Sequence, residues 1–444
     1  MTKMMHDTIY ALSTILGKSG VAVIRISGNK AKNVLQLFTP NLTLKPRIAY
    51  LSNILSPRTA EILDKAIVIF FENPNSFTGY DVVEMQLHGS IAVIKDVLHE
   101  LALIDFIRCA EPGEFTKMAF ENGKMDLVEV EALSDLIHAE TSTERRIAIY
   151  QISGHLTKLY ESWRSMMINI MAQFEAYIDF PDDDIPHSAL EDGMSLIKII
   201  FNEIEDHLII SEKASMLING VHIAIGGPPN VGKSSILNLL SQQEIAIVSE
   251  IAGTTRDVLQ VKMDINNVGV IIYDTAGIRY NTTDQIEVEG IRRARNALDN
   301  ANIKIYVFDA TKLYEMDNFN LESDNTIILI NKCDLISNCD FNIPYKNVIP
   351  FSVYKPDNLK KTFDTISNLI AQNTTTEMLI TTQYRQQERL YECVMLLKSI
   401  DIKNPLEIIA QQVRQAVIAI ECITGKITLD DVLDKIFSSF CIGK

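Results

Sequence analysis

Two short segments carry residues spaced for nucleotide chemistry. Gly227-Pro-Pro-Asn-Val-Gly-Lys-Ser234 fits G-x-x-x-x-G-K-[ST], in which glycines let successive backbone N–H groups turn toward phosphate oxygens. Lys233 is then placed to reach the β- and γ-phosphates, and Ser234 to ligate Mg²⁺. Asn331-Lys-Cys-Asp334 supplies a carboxylate, Asp334, that can accept two parallel hydrogen bonds from the N1 and N2 edge of guanine. Adenine has no such donor pair, and a site built around that demand rejects ATP because the carboxylate is left unpaired. Asn331 reads the base with Asp334, Lys332 can stack on it, and Ser352 can support it through backbone and hydroxyl. Together the two segments read as a nucleotide hydrolase whose nucleotide is GTP.

Two further segments belong to the same chemistry. Gly253-Thr-Thr-Arg-Asp257 has threonines that can complete a Mg²⁺ shell when a γ-phosphate is present, with Thr255 preferred to Thr254; standing alone it would be a polar loop. In Asp274-Thr-Ala-Gly277, Asp274 can hold a Mg²⁺-bound water and the Gly277 N–H can reach the γ-phosphate. GTPases of the Ras type place a water-orienting Gln after that glycine; this chain has Ile278. An aliphatic side chain cannot orient water, so another group must. Asp284, Glu287 and Glu289 lie nearby, and an acidic helix start would use the same residues. Asn230 offers a neutral amide oxygen that, with loop carbonyls, could hold a monovalent cation; the alternative is an Asx turn.

The elements that position these groups follow from hydrophobic period. Val21 to Ser27 and Ala66 to Phe71 read as strands, and Asn29 to Phe38 and Ile91 to Ile104 as helices, giving an α+β domain over residues 1–120. Leu127, Val130, Leu133 and Ile137 recur at helical spacing. A long amphipathic run from Ile147 to Ile178 stops at Phe180-Pro181-Asp-Asp-Asp184, and a further helix is expected from Gly193 to Met216. These make a helical segment over 121–216. Short apolar runs at 221–225, 270–274, 303–309, 326–330 and 347–351, with helices between, predict a doubly wound α/β sheet within 217–376. Helical pattern returns over 377–444, from Ile380 to Leu397 and from Pro405 to Cys422. The expected fold is an α+β N-terminal domain and an all-α domain interrupted by an inserted α/β P-loop domain.

At 444 residues with 47% hydrophobic and 22% charged content, the chain is a multidomain globular protein. No apolar stretch suits a membrane span, the first residues lack a signal-peptide pattern, and six scattered cysteines show no metal or disulfide framework. A reduced, cytoplasmic setting is expected. A net charge of −16 argues against a protein that coats nucleic acid by charge alone. Arg145-Arg146 and Arg292-Arg293 read more readily as solvated helix faces than as nucleic-acid contacts.

The chain resembles the MnmE (TrmE) family of tRNA-modification GTPases along essentially its whole length. The resemblance rests on Gly20-Val-Ala-Val-Ile-Arg-Ile-Ser-Gly28, Ser76-Phe-Thr-Gly-Tyr-Asp-Val-Val-Glu84, Pro112-Gly-Glu-Phe-Thr-Lys-Met-Ala-Phe120 and Phe440-Cys-Ile-Gly-Lys444. It implies a potassium-activated G domain that dimerises across its nucleotide face, with Asn230, Ser249, Ile251 and Thr254 as K⁺ ligands and Ser234 and Thr255 on Mg²⁺. K⁺ there would neutralise charge developing between the β- and γ-phosphates. Glu287 matches the family's water-orienting glutamate, and Arg256 and Arg279 match arginines of its switch segments. Motif and resemblance together set the nucleotide contacts as Asn230, Val231, Gly232, Lys233, Ser234, Ser235, Ser249, Glu250, Ile251, Ala252, Gly253, Thr254, Thr255, Asp274, Thr275, Ala276, Gly277, Asn331, Lys332, Asp334 and Ser352.

The N-terminal segment resembles folate-binding aminomethyltransferase domains, which implies a tetrahydrofolate one-carbon derivative, 5-formyltetrahydrofolate in the bound form. Arg25, Glu84, Lys124 and Lys444 occupy the matching positions; a carboxylate can pair with the pterin edge and cations with the glutamate tail. Read alone, each is an ordinary surface or structural charge. Cys441 is implied to point toward that site, against the alternative of a buried thiol; Gly443 and Lys444 do not fit a prenylation signal. The resemblance further implies a homodimer that forms a heterotetramer with a flavoprotein of the MnmG (GidA) family, adding an aminomethyl-type (carboxymethylaminomethyl) group at C5 of wobble uridine 34 of certain tRNAs, with no membrane involved. Two rivals are a ribosome-assembly GTPase switch of the Era or Der type and a folate-dependent one-carbon transferase with a regulatory G domain.

Overall fold

A computed structural model describes residues 7–179, 188–243, 260–274, 298–319, 321, 324–336, 341, 343–374, 377–427 and 430–443. Contacts divide the chain into two compact units. One comprises Met1–Ser134, Gln151–Ala189 and Ile400–Lys444, the other Asp135–Tyr150 and Leu190–Ser399.

The first unit is built on a six-stranded sheet: β1 (Thr8–Leu12), β2 (Ser19–Ser27), β3 (Ala49–Leu55), β4 (Ile62–Phe71), β5 (Val82–Gly89) and β6 (Ile107–Cys109). Its order is β3-β4-β5-β2-β1-β6, antiparallel throughout except for the β1–β6 pair. Successive strand residues face opposite sides, so Ile24 and Ile26 enter one core while Arg25 faces away. Val83 and Met85 do the same around Glu84. That core also takes Val68, Phe70 and the apolar stripes of α1 (Ala31–Phe38) and α2 (Ile91–Ala102). Phe115 and Met118 of α3 (Glu114–Glu121) join Ile9, Ala11 and Tyr80 in a second cluster.

Helix α4 spans Leu127–His138. The run expected from Ile147 to Ile178 is two helices, α5 (Ser142–Ile152) and α6 (His155–Asp179). The break sits at Gly154, whose φ of 76° is left-handed and ends a helix at little cost for glycine. The helix exit expected at Phe180–Asp184 lies outside the described residues. The later helix α7 spans Ser188–Asn219, longer than the pattern alone indicates.

The second unit centres on another six-stranded sheet: β7 (Val221–Gly226), β8 (Gln260–Ile265), β9 (Val268–Asp274), β10 (Ile303–Asp309), β11 (Thr326–Asn331) and β12 (Val348–Pro350). The order β12-β11-β10-β7-β9-β8 is parallel except for the β8–β9 hairpin. That hairpin turns through Asn266 and Asn267, at φ 53° and 65°, the left-handed pair a two-residue hairpin turn requires. The parallel strands are buried on both faces, hence their unbroken apolar runs. Ile223, Ile225, Val307 and Leu329 join one cluster with Ile236 of α8 (Lys233–Gln243) and Ile366 of α9 (Leu359–Asn373). Phe308, Ile328 and Ile330 enter another. Helix α10 covers Tyr384–Lys398 and starts later than expected, Ile380 being buried in the core without helical backbone.

Returning to the first unit, α11 (Leu406–Thr424) begins just after Pro405, and α12 spans Asp430–Ser438. Helix α11 packs along α6. The pair is fastened by ion pairs Arg164–Glu421 (2.5 Å) and Arg414–Glu175, and Lys426, two residues past the end of α11, adds another to Glu161 (2.7 Å). Among the described residues, no helix is long and apolar enough to cross a membrane.

Candidate functional site

Strands β7 and β10 are neighbours, and the chain continues from β7 toward β9 and β8 on one side but from β10 toward β11 on the other. That is the switch point at which open α/β sheets take ligands beyond the carboxyl ends of their strands. The loop from Gly227 to Gly232 leaves β7 there and opens α8 at Lys233. Its backbone approaches its neighbours too closely for side chains. A Cβ on Gly227 (φ 129°) would stand 2.2 Å from Val307 O, and one on Gly232 (φ 100°) 2.5 Å from Asn331 Nδ2. Asn230 adopts φ 62°, a left-handed conformation asparagine tolerates, and its side chain is exposed, as are Ser234 and Ser235 at the helix start. Lys233 is buried, its Nζ donating to Gly227 O (2.9 Å) and Pro228 O (2.6 Å). Such a glycine cradle leading into a helix N-terminus has the donors and field that suit a phosphate chain.

The loop after β11 is tied to this cradle. Asn331 is buried and its Nδ2 donates to Val231 O at 2.7 Å. Its buried Oδ1 finds no partner among the described residues, an unmet acceptor of the kind that fits a ligand-binding position. Lys332, at φ 64°, donates to Asn230 O (3.2 Å) and to Asp309 Oδ2 (2.6 Å). Asp334 is exposed, and Ser352 Oγ donates to its Oδ1 at 2.5 Å. Ser352 is itself buried and accepts from the amides of Tyr354 (3.2 Å) and Lys355 (3.3 Å). One end of the sheet therefore gathers Asn230, Val231, Gly232, Lys233, Asn331 and Lys332, with Asp334 held by Ser352.

Motif and spacing do not single out Asp309, which the fold brings to this end of the sheet. Burial pushes its carboxyl pKa up, but hydrogen bonds from Lys332 and Thr311 outweigh that and hold it down at about 2. The signal available was a strand ending in Asp-x-Thr, an Asx-turn pattern at the sheet's carboxyl edge.

Asp274 ends β9 opposite Ile225 of β7, which brings its backbone beside the strand feeding the cradle. Its side chain lies outside the described residues. So do Ser249, Glu250, Ile251, Ala252, Gly253, Thr254, Thr255, Arg256, Thr275, Ala276, Gly277, Arg279, Glu287 and the Arg292-Arg293 pair. Arg145 and Arg146 are exposed on α5.

In the first unit, register pairs Arg25 of β2 directly with Glu84 of β5. Glu84 Oε1 accepts from Arg25 Nε (3.1 Å) and Nη2 (2.9 Å). Arg25 also sits 5.7 Å from the Phe77 ring centroid and 5.8 Å from that of Phe115. Residues 440–443 reach this place: Phe440 is buried, Ile442 bridges Pro112, and Gly443 O accepts from Ser13 Oγ (3.0 Å) and Arg25 Nη1 (3.5 Å). Gly443 (φ 98°) leaves no space for a Cβ, which would lie 2.4 Å from Leu12 O. Lys124 packs its Cε beside Gly79, with no described contact to Arg25 or Glu84. Cys441 is exposed, and Lys444 lies outside the described residues.

Comparison with known proteins covers both units. The family described as "MnmE helical domain" matches residues 127–441, and that described as "GTP-binding protein TrmE N-terminus" matches residues 8–124. The curated relative from Rickettsia typhi, "tRNA modification GTPase MnmE", is 46% identical, covering 99% of this chain and 100% of the relative. The protein of the same description from Rickettsia prowazekii is 45% identical with the same coverage. Among solved structures, Aquifex aeolicus Era bound to GDP·AlF4⁻ is 25% identical over 41% of this chain and 69% of that one, with a TM-score of 0.28.

Proposed function

The chain belongs to the MnmE family, whose curated relatives are tRNA modification GTPases, and from that membership we propose how it works. It hydrolyses GTP at the loop from Gly227 to Ser234 in the service of tRNA modification. The observation that carries the reading is the convergence of the Lys233 cradle with Asn331, Lys332 and the Ser352-held Asp334 at one end of the second sheet.

Asp334 selects guanine by pairing with its N1 and N2 donors, and Ser352 orients the carboxylate for that task. Lys233 exchanges its bonds to loop carbonyls for phosphate oxygens. Ser234 and Thr255 would hold Mg²⁺, which offsets phosphate charge when bound; Asp274 would hold one of its waters. Asn230, Ser249, Ile251 and Thr254 would hold K⁺, which would supply positive charge against the charge that develops on the phosphates. Glu287 orients the attacking water, which Ile278 cannot do, while Arg256 and Arg279 serve the rearrangement of their segments. The remaining nucleotide contacts are those named from motif and resemblance.

The Arg25–Glu84 site binds a tetrahydrofolate one-carbon derivative, with Lys124 and Lys444 toward its glutamate tail and Cys441 at its edge. The protein works in the cytoplasm as a homodimer, with an MnmG-family flavoprotein, to add an aminomethyl-type group at C5 of wobble uridine 34. The G domain over 217–376 is inserted between helical parts at 121–216 and 377–444, behind an N-terminal domain at 1–120. Hydrolysis drives movement sensed by the partner rather than the carbon transfer itself.

GTP hydrolysis measured in K⁺ and in Na⁺ at equal ionic strength tests the core of this reading. Strong K⁺ stimulation, lost in Asn230→Ala, is expected. Equal rates in both salts would remove the cation. In a deletion strain, wild type but not Asp274→Ala should restore the modified nucleoside; restoration by the variant would remove the hydrolysis step.

A further inference from the structure

Asp309 is the last residue of β10, and its backbone pairs with Asn331 of β11. Its side chain is only 8% exposed, and both of its oxygens are engaged. Oδ1 accepts from Thr311 N (2.9 Å) and Thr311 Oγ1 (2.7 Å), and Oδ2 accepts from Lys332 Nζ (2.6 Å). With Thr311 fixing its rotation, the carboxylate has one orientation to offer the lysine. Lys332 in turn holds a left-handed backbone at φ 64°, which costs a residue bearing a Cβ. Its ammonium spans two segments, Asp309 on one side and Asn230 O at 3.2 Å on the other. Ala310 N donates to Asn331 O at 2.8 Å, closing the same junction through backbone.

We propose that Asp309 is a positioning residue for the nucleotide: by fixing the Lys332 ammonium against Asn230 O, it joins the phosphate loop to the base-reading loop before ligand arrives. The proposal rests on the reading that residues 331–334 recognise guanine. Lysine's four-carbon stem is otherwise free to rotate, and ordering it on binding would weaken the complex. Pinned by Asp309, the stem already lies across the junction where a base plane would stack. Asp309 contacts neither phosphate loop amides nor reacting atoms, so its loss should fall on nucleotide retention more than on the chemical step.

The test uses the full chain, with fluorescent mant-GDP dissociation and GTP hydrolysis as readouts. Asp309→Asn is expected to speed mant-GDP dissociation on the order of tenfold and to raise KM for GTP in step, with kcat moving less. Asp309→Glu should recover part of the retention. In a Lys332→Gln background, Asp309→Asn should add little, because the two changes remove one interaction. If Asp309→Asn does not fold, Thr311→Val frees the carboxylate more gently and should still speed dissociation.

Unchanged dissociation and KM in Asp309→Asn, or in Thr311→Val where that is the folded variant, would overturn the proposal. So would full additivity with Lys332→Gln. Asp334→Asn separates this from the underlying reading. It should trade guanosine for xanthosine diphosphate, and if it does not, the guanine assignment itself has failed. If it does while Asp309→Asn behaves as wild type, only the Asp309 role has failed.

Discussion

His207 lies inside α7 of the second unit, 7% exposed, with its Nε2 2.8 Å from Thr381 Oγ1. Thr381 is fully buried and donates its backbone N–H to Ser211 Oγ at 2.9 Å. Burial pulls the imidazole pKa down to about 4 from its ordinary 6.5. As pH falls, the unfolded chain therefore takes up this proton before the folded one does. The stability conferred by keeping His207 neutral is full above the unfolded value and drains away as pH falls from 6.5 toward 4. The drop from 6.5 to about 4 corresponds to ~3 kcal/mol at the limit, of which ~2 kcal/mol is lost between pH 7 and pH 5. For a unit of this size, that should lower its melting temperature by roughly 4 to 8 °C. His207→Gln keeps a group able to bond Thr381 and does not titrate in this range. Melting curves of both proteins from pH 7 to pH 5 isolate the effect, because the carboxylates common to both cancel in the difference. Wild type should lose those extra degrees relative to the variant. Parallel curves would show that the folded histidine takes up its proton as readily as the unfolded one, and the burial argument would fail.

Ser352→Ala removes the hydroxyl that fixes Asp334 and leaves two amides without their acceptor; because Asp334 is exposed and water can replace the donor, GDP affinity should fall only about tenfold. Titration with mant-GDP checks this, and unaltered affinity would mean that Asp334 needs no orienting partner. Among the described residues, Glu84→Ala leaves Arg25, 22% exposed at its side chain, with the aromatic rings and Gly443 O. Stability should drop by no more than ~2 kcal/mol, since the pair is partly solvated. Binding of 5-formyltetrahydrofolate by calorimetry should fall by at least about tenfold; binding at wild-type strength would move the folate elsewhere.

What the sequence made legible was local. The phosphate loop, its strand and helix, and the Asn331–Asp334 loop are each contiguous, so their spacing carries their geometry. The parallel strands announced themselves because burial on both faces leaves uninterrupted apolar runs. The Arg25–Glu84 pair is different: it depends on the register of β2 against β5, and no periodicity within either strand encodes the other. Resemblance supplied those two residues where pattern could not. Asp309 escaped for a similar reason, since its partner Lys332 sits on the neighbouring strand's exit. The helix break at Gly154 shows the reverse case, in which an apolar period continues across a backbone conformation that ends the helix.

The stitching of residues 440–443 onto the first sheet, at the end of β1 and at Arg25 of β2, has a consequence for how the protein is made. Arg25, Glu84 and Lys124 leave the ribosome early, but Gly443 follows about 320 residues later, roughly 15 to 65 s at ordinary elongation rates. Helix α6 waits almost as long for α11, and with it for Glu421 and Arg414. Through that interval α6 must stand without the helix that packs along it. The whole of residues 190–399 is synthesised inside this gap. The nucleotide-binding unit is thus free to fold first, and the earliest-made part of the chain is the last to be finished.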